Sequence, residues 1–304
     1  MKKIWSVAFV IILCCALTAC GEKNSADGGG QEGNVSSSGN ATAHEDYFEW
    51  DVHDDTWILG YTEKGLKQTE IVIPAKCTVV QGLQGNETVK HISFESDDTE
   101  INSVAFAHCT NLETVELPKN LTVIESDIFS GCTALKEITI PDSVTEIKSS
   151  AFRDCESLTT VTLGQGVTAI KLNAFRNCTS LTSISIPDSV VTIGNSVFKG
   201  CSSLSEVNFG SGIEVIEDSA FEECDSLKSV KLQEGVTELG NYAFAFCDAL
   251  EEIYIPASVE SVGSSSITVT HTIDVYVVEG SYMDQRLEDP MAWVGFEFYA
   301  KKYQ

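Results

Sequence analysis

Basic residues are scarce in this 304-residue chain: 19 Lys and Arg stand against 45 Asp and Glu, a formal net charge of −26. Nucleic-acid phosphate and anionic headgroups are held by clustered basic side chains, so this balance argues against both as partners. Histidine is scarcer still, with only His44, His53, His91, His108 and His271. None of them lies in a His-x-x-x-His metal spacing, and the chain has neither a Gly-x-Ser-x-Gly elbow nor a phosphate-binding glycine loop. His53, beside Asp54-Asp55, comes nearest to a metal ligand or base, and it reads better as a solvated residue of a capping segment. The acidic residues are scattered through variable positions. The sequence therefore offers no catalytic residues, no metal site and no cofactor. A membrane-spanning helix needs about 20 apolar residues, and the one apolar stretch, Ile4 to Leu17 with Ser6 inside it, falls short.

That stretch follows Lys2-Lys3, and a short basic start before a short apolar run suits a signal peptide. It ends in Leu17-Thr18-Ala19-Cys20, which resembles the lipobox of bacterial lipoproteins. The resemblance implies a signal over residues 1–19, cleavage before Cys20 and diacylation of its thiol. The alternative is an ordinary signal peptide with a chance cysteine at its end. Residues 20–44 carry Gly28-Gly29-Gly30 and Ser36-Ser37-Ser38 and almost nothing apolar, so they cannot bury enough surface to order themselves. They read as a tether with a reach of about 30 Å by random-coil scaling.

What is abundant is repetition. Cys109, Cys132, Cys155, Cys178, Cys201, Cys224 and Cys247 recur every 23 residues. Phe106, Phe129, Phe152, Phe175, Phe198, Phe221 and Phe244 stand three residues before them, and Leu112, Leu135, Leu158, Leu181, Leu204, Leu227 and Leu250 three after. Two alternating apolar positions follow, as in Ile138 and Ile140, then often Pro, then two more apolar positions such as Val144 and Ile147. The phase continues backwards to Leu83, Val89, Ile92 and Phe94, and forwards to Ile267, Thr270, Ile273, Tyr276 and Val278. Ile71-Val72-Ile73-Pro74 matches the strand element two residues out of phase.

The alternating pair predicts a strand buried on one face, and the three-residue spacing of Phe, Cys and Leu predicts a tight turn or 3₁₀-like segment. No single coil can bury its apolar edge alone, so stacked coils must share a core and a parallel sheet. This spacing resembles the BspA-type leucine-rich repeats of bacterial surface proteins. The resemblance implies a right-handed repeat solenoid with a parallel β-sheet and a surface role, often adhesion, and it supplies no catalytic residues. About nine to ten repeats and an N-terminal cap with Trp50 and Trp57 are expected over residues 45–280, and a C-terminal cap over 281–304. In that cap, Ser281 to Ala292 is read as a short helix, and Trp293, Phe296 and Phe298 as alternating positions of a closing strand.

Eight cysteines remain beyond Cys20, the seven of the column and Cys77. A disulfide needs converging Cβ atoms about 3.8 Å apart, whereas one column in coils stacked at about 4.8 Å points its side chains in parallel. A ladder of buried thiols is favoured over a disulfide framework, and no Cys-x-x-Cys pair supports zinc. Binding information belongs where the repeats vary. The outward strand position reads Glu116, Thr139, Thr162, Ser185, Asn208, Lys231 and Tyr254. Tyr254, Tyr242 and Phe246, in columns held elsewhere mainly by Ser, Asn, Asp, Gly or Thr, are the candidate ligand contacts; the alternative is that the C-terminal cap covers them. The sequence thus predicts a non-enzymatic lipoprotein on the outer face of the cell envelope, held to the membrane through its lipid alone. Its expected partner is an extracellular protein or glycan, the other reading being an envelope scaffold.

Overall fold

Short apolar-polar alternations make half-buried strands, and the computed structural model, which describes residues 44–288 and 299–304, has one at each expected place. Strands Glu137–Thr139, Thr160–Thr162, Ser183–Ser185, Glu206–Asn208, Ser229–Lys231 and Glu252–Tyr254 recur in step with the repeat. Pairing is parallel, with Ile138 opposite Val161, Ile184 opposite Val207 and Val230 opposite Ile253. The ladder of this first sheet is interrupted between pairs, for instance between Thr160–Thr162 and Ser183–Ser185.

The sequence reading gives each repeat one strand; the structure gives it two. Strands Val123–Ile124, Glu146–Ile147, Ala169–Ile170, Thr192–Ile193, Val215–Ile216, Glu238–Leu239 and Ser261–Val262 form a continuous seven-stranded parallel sheet on a second side of the coils. Two residues are too few to show an alternation, and only stacking of the coils makes them a strand.

The third side is the turn segment. Here Cys132 N donates to Phe129 O at 3.1 Å and Leu135 N to Cys132 O at 3.0 Å, the i to i−3 pattern that the three-residue spacing requires. Two positions per segment have left-handed backbone, for example Asp127 and Gly131 at φ 54° and 72°. They turn alternate N–H groups along the solenoid, so that Asp127, Phe129 and Gly131 donate to Ser149, Ala151 and Arg153 of the next coil. Asn, Asp, Ser and Gly fill most of these columns because short polar side chains or none tolerate this conformation.

The core is a set of ladders. The rings from Phe106 to Phe244 stack at centroid distances of 5.1–5.5 Å with interplanar angles of 3–17°, all fully buried. The seven column cysteines and Cys77 are free and buried, as the parallel geometry requires. Each column thiol donates to the preceding coil: Cys155 Sγ to Phe129 O at 3.2 Å, Cys178 to Phe152 O at 3.3 Å, Cys201 to Phe175 O at 3.2 Å.

Register departs from 23 residues at both ends. Ile71 pairs with Ile92, a 21-residue step that accounts for the phase of the first fragment. At the other end Val275 pairs with Ile253 and Tyr276 with Tyr254, a 22-residue step. This corrects the sequence reading of the last repeat: Val275 and Val277 are the buried pair of strand Ile273–Val277, not Tyr276 and Val278, and Val269 is buried where Thr270 was expected. One residue fewer in that coil moves each later side chain to the other face.

Contacts gather the described residues into one compact unit. At its start Phe48–Trp50 pairs antiparallel with Trp57–Tyr61, and Lys76 Nζ lies 4.1 Å over the Trp50 ring. At its end helix Tyr282–Glu288 is followed by strand Tyr299–Tyr303, which pairs in parallel with Ile273–Val277. Lys301 Nζ bridges Asp284 at 2.7 Å and Glu288 at 2.8 Å, tying helix to strand. Trp293, Phe296 and Phe298 lie outside the described residues.

Candidate functional site

The outward face of the first sheet carries one side chain per coil from the stripe beginning at Glu116, and through Asn208 these are charged or short and polar, and exposed. Its last four strands differ. Register places Lys231, Tyr254, Tyr276 and Lys302 side by side on successive strands. Tyr254 and Tyr276 stack with centroids 4.2 Å apart and planes 4° from parallel. Tyr254 Oη donates to Glu252 Oε2 at 3.2 Å. Desolvation against its neighbours, reinforced by the Glu252 carboxylate, pushes the Tyr254 phenol up to about 12, so it remains a neutral hydrogen-bond donor at any physiological pH. Lys302 Nζ lies 3.9 Å from Asp274 on the adjacent strand. The result is a stacked aromatic pair set between two lysines and bordered by Glu252 and Asp274. Its outer ring faces and hydroxyls suit apolar and hydrogen-bonding contact together, the combination found in aromatic anchors.

Tyr276 was missed by sequence reasoning, because the 22-residue step hides it behind an inward assignment. Tyr242 and Phe246 do not join this site. They lie in the turn segment, on another side of the coil, each 43% exposed and with no ring partner among the described residues. Both have left-handed backbone, φ 57° and 59°, in the columns otherwise filled by short polar residues, Gly and a few others. An aromatic side chain gains nothing from that conformation, and this coil alone among the seven places Tyr or Phe in these columns. Cys20 lies outside the described residues.

The profile of the BspA-type leucine-rich repeat region matches this chain in six copies over residues 64–182 and 168–282. The chain belongs to this family. Several solved structures are similar to it. A leucine-rich repeat protein from Bacteroides ovatus is 21% identical, with 81% of this chain and 88% of that one covered and a TM-score of 0.40. The Treponema pallidum leucine-rich repeat protein is 25% identical over 73% of this chain and 86% of that one, TM-score 0.44. The pneumococcal vaccine antigen PcpA is 16% identical over 82% and 84%, TM-score 0.41. Among curated protein sequences there is no match.

The repeats of this BspA-type chain hold no metal cluster among the described residues. Their thiols are held in the unreactive form: burial pushes Cys77 and Cys109 up to about 11 and Cys201 and Cys247 up to about 12. A thiolate is the nucleophile and the metal ligand, and burial disfavours that form here.

Proposed function

We propose that this protein is a non-catalytic binding module of the cell surface, tethered by an acylated Cys20 and the Gly- and Ser-containing segment over residues 20–44, which presents its solenoid to an extracellular protein or glycan. Family membership supports a protein-binding or surface role. The lipid anchor rests on the Leu17-Thr18-Ala19-Cys20 sequence alone. The observation that carries the binding site is the Tyr254–Tyr276 stack between Lys231 and Lys302, the aromatic interruption of an otherwise small, polar stripe. A polar stripe offers hydrogen bonds without an anchor, and buried energy at interfaces concentrates in aromatic residues of this kind.

An array of extracellular-matrix proteins, mucin glycans and cell-envelope components, probed with the purified mature protein, tests the role. A small set of saturable hits among host or neighbouring-cell components supports it. Binding confined to the cell's own envelope components replaces it with the scaffold reading. The anchor has a separate test: Cys20→Ala should release the protein from membranes or leave it unprocessed, and normal processing with unchanged detergent partitioning would remove the lipid from the account.

A further inference from the structure

The second sheet has an outward face of its own, and its chemistry changes along the solenoid. In its first coils the charges cancel: Lys148 Nζ lies 2.7 Å from Glu125 and Lys171 Nζ 3.4 Å from Glu146. Apolar side chains then enter beside these pairs, at Ala169, which holds the column of Glu146, and at Leu172, which follows Lys171. Leu172 is 47% exposed, and Val191, 41% exposed, precedes the strand Thr192–Ile193 of the next coil. Gly194 stands where the preceding coils carry Lys171 and Lys148. A Cβ there would meet Ile170 O at 2.8 Å, so the glycine permits the close approach of the two coils and leaves a dip in the surface. Ser149, Thr168, Lys171, Leu172, Gly194 and Glu217 are among the residues around the resulting groove of about 550 Å³. In the last coils the face becomes acidic. Glu214, Glu217, Asp218, Glu238 and Glu260 project from three consecutive strands or their flanks, and none has an ion-pair partner among the described residues. Asn195 donates to Glu217 and Asn241 to Asp218, neither of which neutralises the charge.

From this gradient we infer that the groove around Ala169, Leu172 and Gly194, with Val191 beside it, is a docking site for an extended polypeptide segment. The segment carries an apolar side chain followed within two or three residues by Lys or Arg. The apolar side chain fills the dip over Gly194. The basic residues then fall on Glu214 and Glu217 one coil further, about 5 Å on, and on Glu238 about 10 Å on, by the spacing of parallel strands. Charge complementarity selects the occupant: an acidic segment would meet five unpaired carboxylates, and a neutral apolar one would leave them unanswered. The site is on a different side of the coils from Tyr254 and Tyr276, and it stands or falls separately from them.

Three unstructured decapeptides test it on the intact mature protein by calorimetry or fluorescence anisotropy. One carries two leucines followed by three arginines, one has glutamates in place of the arginines, and one keeps the arginines but lacks the leucines. The first should bind at least about tenfold more tightly than either other, the scale of a single apolar or charged anchor. Leu172→Ser with Val191→Thr, the latter the residue found at Thr145 and Thr168 in the same column, should weaken it about tenfold. Glu214→Gln with Glu217→Gln, which keeps the acceptor for Asn195, should weaken it about fivefold. Glu137→Gln with Glu156→Gln removes the same charge elsewhere and should change affinity less than about twofold. Equal binding of the leucine-free peptide, or equal losses from the near and remote charge variants, would overturn the proposal as mere attraction to an acidic protein. Unchanged melting curves are required of every variant, so a loss through misfolding is recognised as such.

Discussion

Alkali should unfold this protein far more steeply than its size alone suggests, and the thiol ladder is the reason. In the folded chain the column thiols are neutral, donating to backbone carbonyls of the preceding coil, and burial raises every one of them. In the unfolded chain each returns to its ordinary value of 9.0. A group whose folded pKa is raised contributes its full stability below the unfolded pKa and loses it as pH climbs towards the folded one. At pH 9 each thiol favours the unfolded state by under about 1 kcal/mol, and at pH 10 by slightly more than about 1 kcal/mol. Seven of them together remove about 10 kcal/mol at pH 10, comparable to the whole stability of a typical domain. The assay is urea unfolding followed by circular dichroism at pH 8, 9 and 10 with a phosphine reductant present. Lysines and tyrosines also titrate there, so the reading is a difference. The triple variant Cys155→Ala, Cys178→Ala, Cys201→Ala should lose about 4 kcal/mol less than the parent between pH 8 and 10. An identical loss in both proteins would show that the thiols are not buried as neutral groups, and the stacked register would fall with them.

Other consequences are more local. Phe175→Ala opens a cavity between two stacked rings and should cost about 3–5 kcal/mol, whereas Thr162→Ala on the outward stripe should stay within about 0.5 kcal/mol; equal effects in thermal melts would contradict the register. Glu113 bridges Lys90 and Lys136 of the coils before and after it, and the hydrogen bond from Lys136, then that from Lys90, holds its carboxyl down to about 2. A depressed carboxyl contributes stability above its ordinary value of 4.5 and loses it as pH falls towards 2, so Glu113→Gln should flatten the acid limb of the stability curve in that window, and an unchanged limb would count against the bridge. Tyr242→Asn places a residue that tolerates left-handed backbone where φ is 57° and should raise stability by about 0.5–1 kcal/mol, read from the urea midpoint; a loss would mean that the exposed ring packs against something in solution.

The columns were legible in the sequence because they obey one rule each. Phe, Cys and Leu at three-residue steps suited a tight turn, and one column of cysteines in stacked coils favoured buried thiols over disulfides, which the free thiols and stacked rings bear out. Two features were written in the sequence without being read. The Asn, Asp, Ser and Gly columns at the positions of Asp127 and Gly131 mark left-handed backbone, and they also explain why Tyr242 and Phe246 are anomalous. The two-residue strands of the second sheet carry no alternation of their own, so the face that bears Leu172 and Gly194 had no signature. Tyr276 was lost for a different reason. A constant period was carried one coil too far, and a single deleted residue is enough to exchange inside for outside. Tyr254 was found because its column had already been counted through six coils.

The claim that the Tyr254–Tyr276 face is where this solenoid meets its ligand has one direct test. For the tightest hit from the array, affinity is measured for the parent protein and for Tyr254→Ser with Tyr276→Thr, which restore the small hydroxyl residues of the stripe at Ser185 and Thr162. Folding should be unaffected, since neither ring belongs to the buried column. Affinity should fall about thirtyfold or more, the loss of a hot-spot anchor of about 2 kcal/mol. An unchanged affinity with the fold intact would contradict the account and move the ligand to another face of the coils.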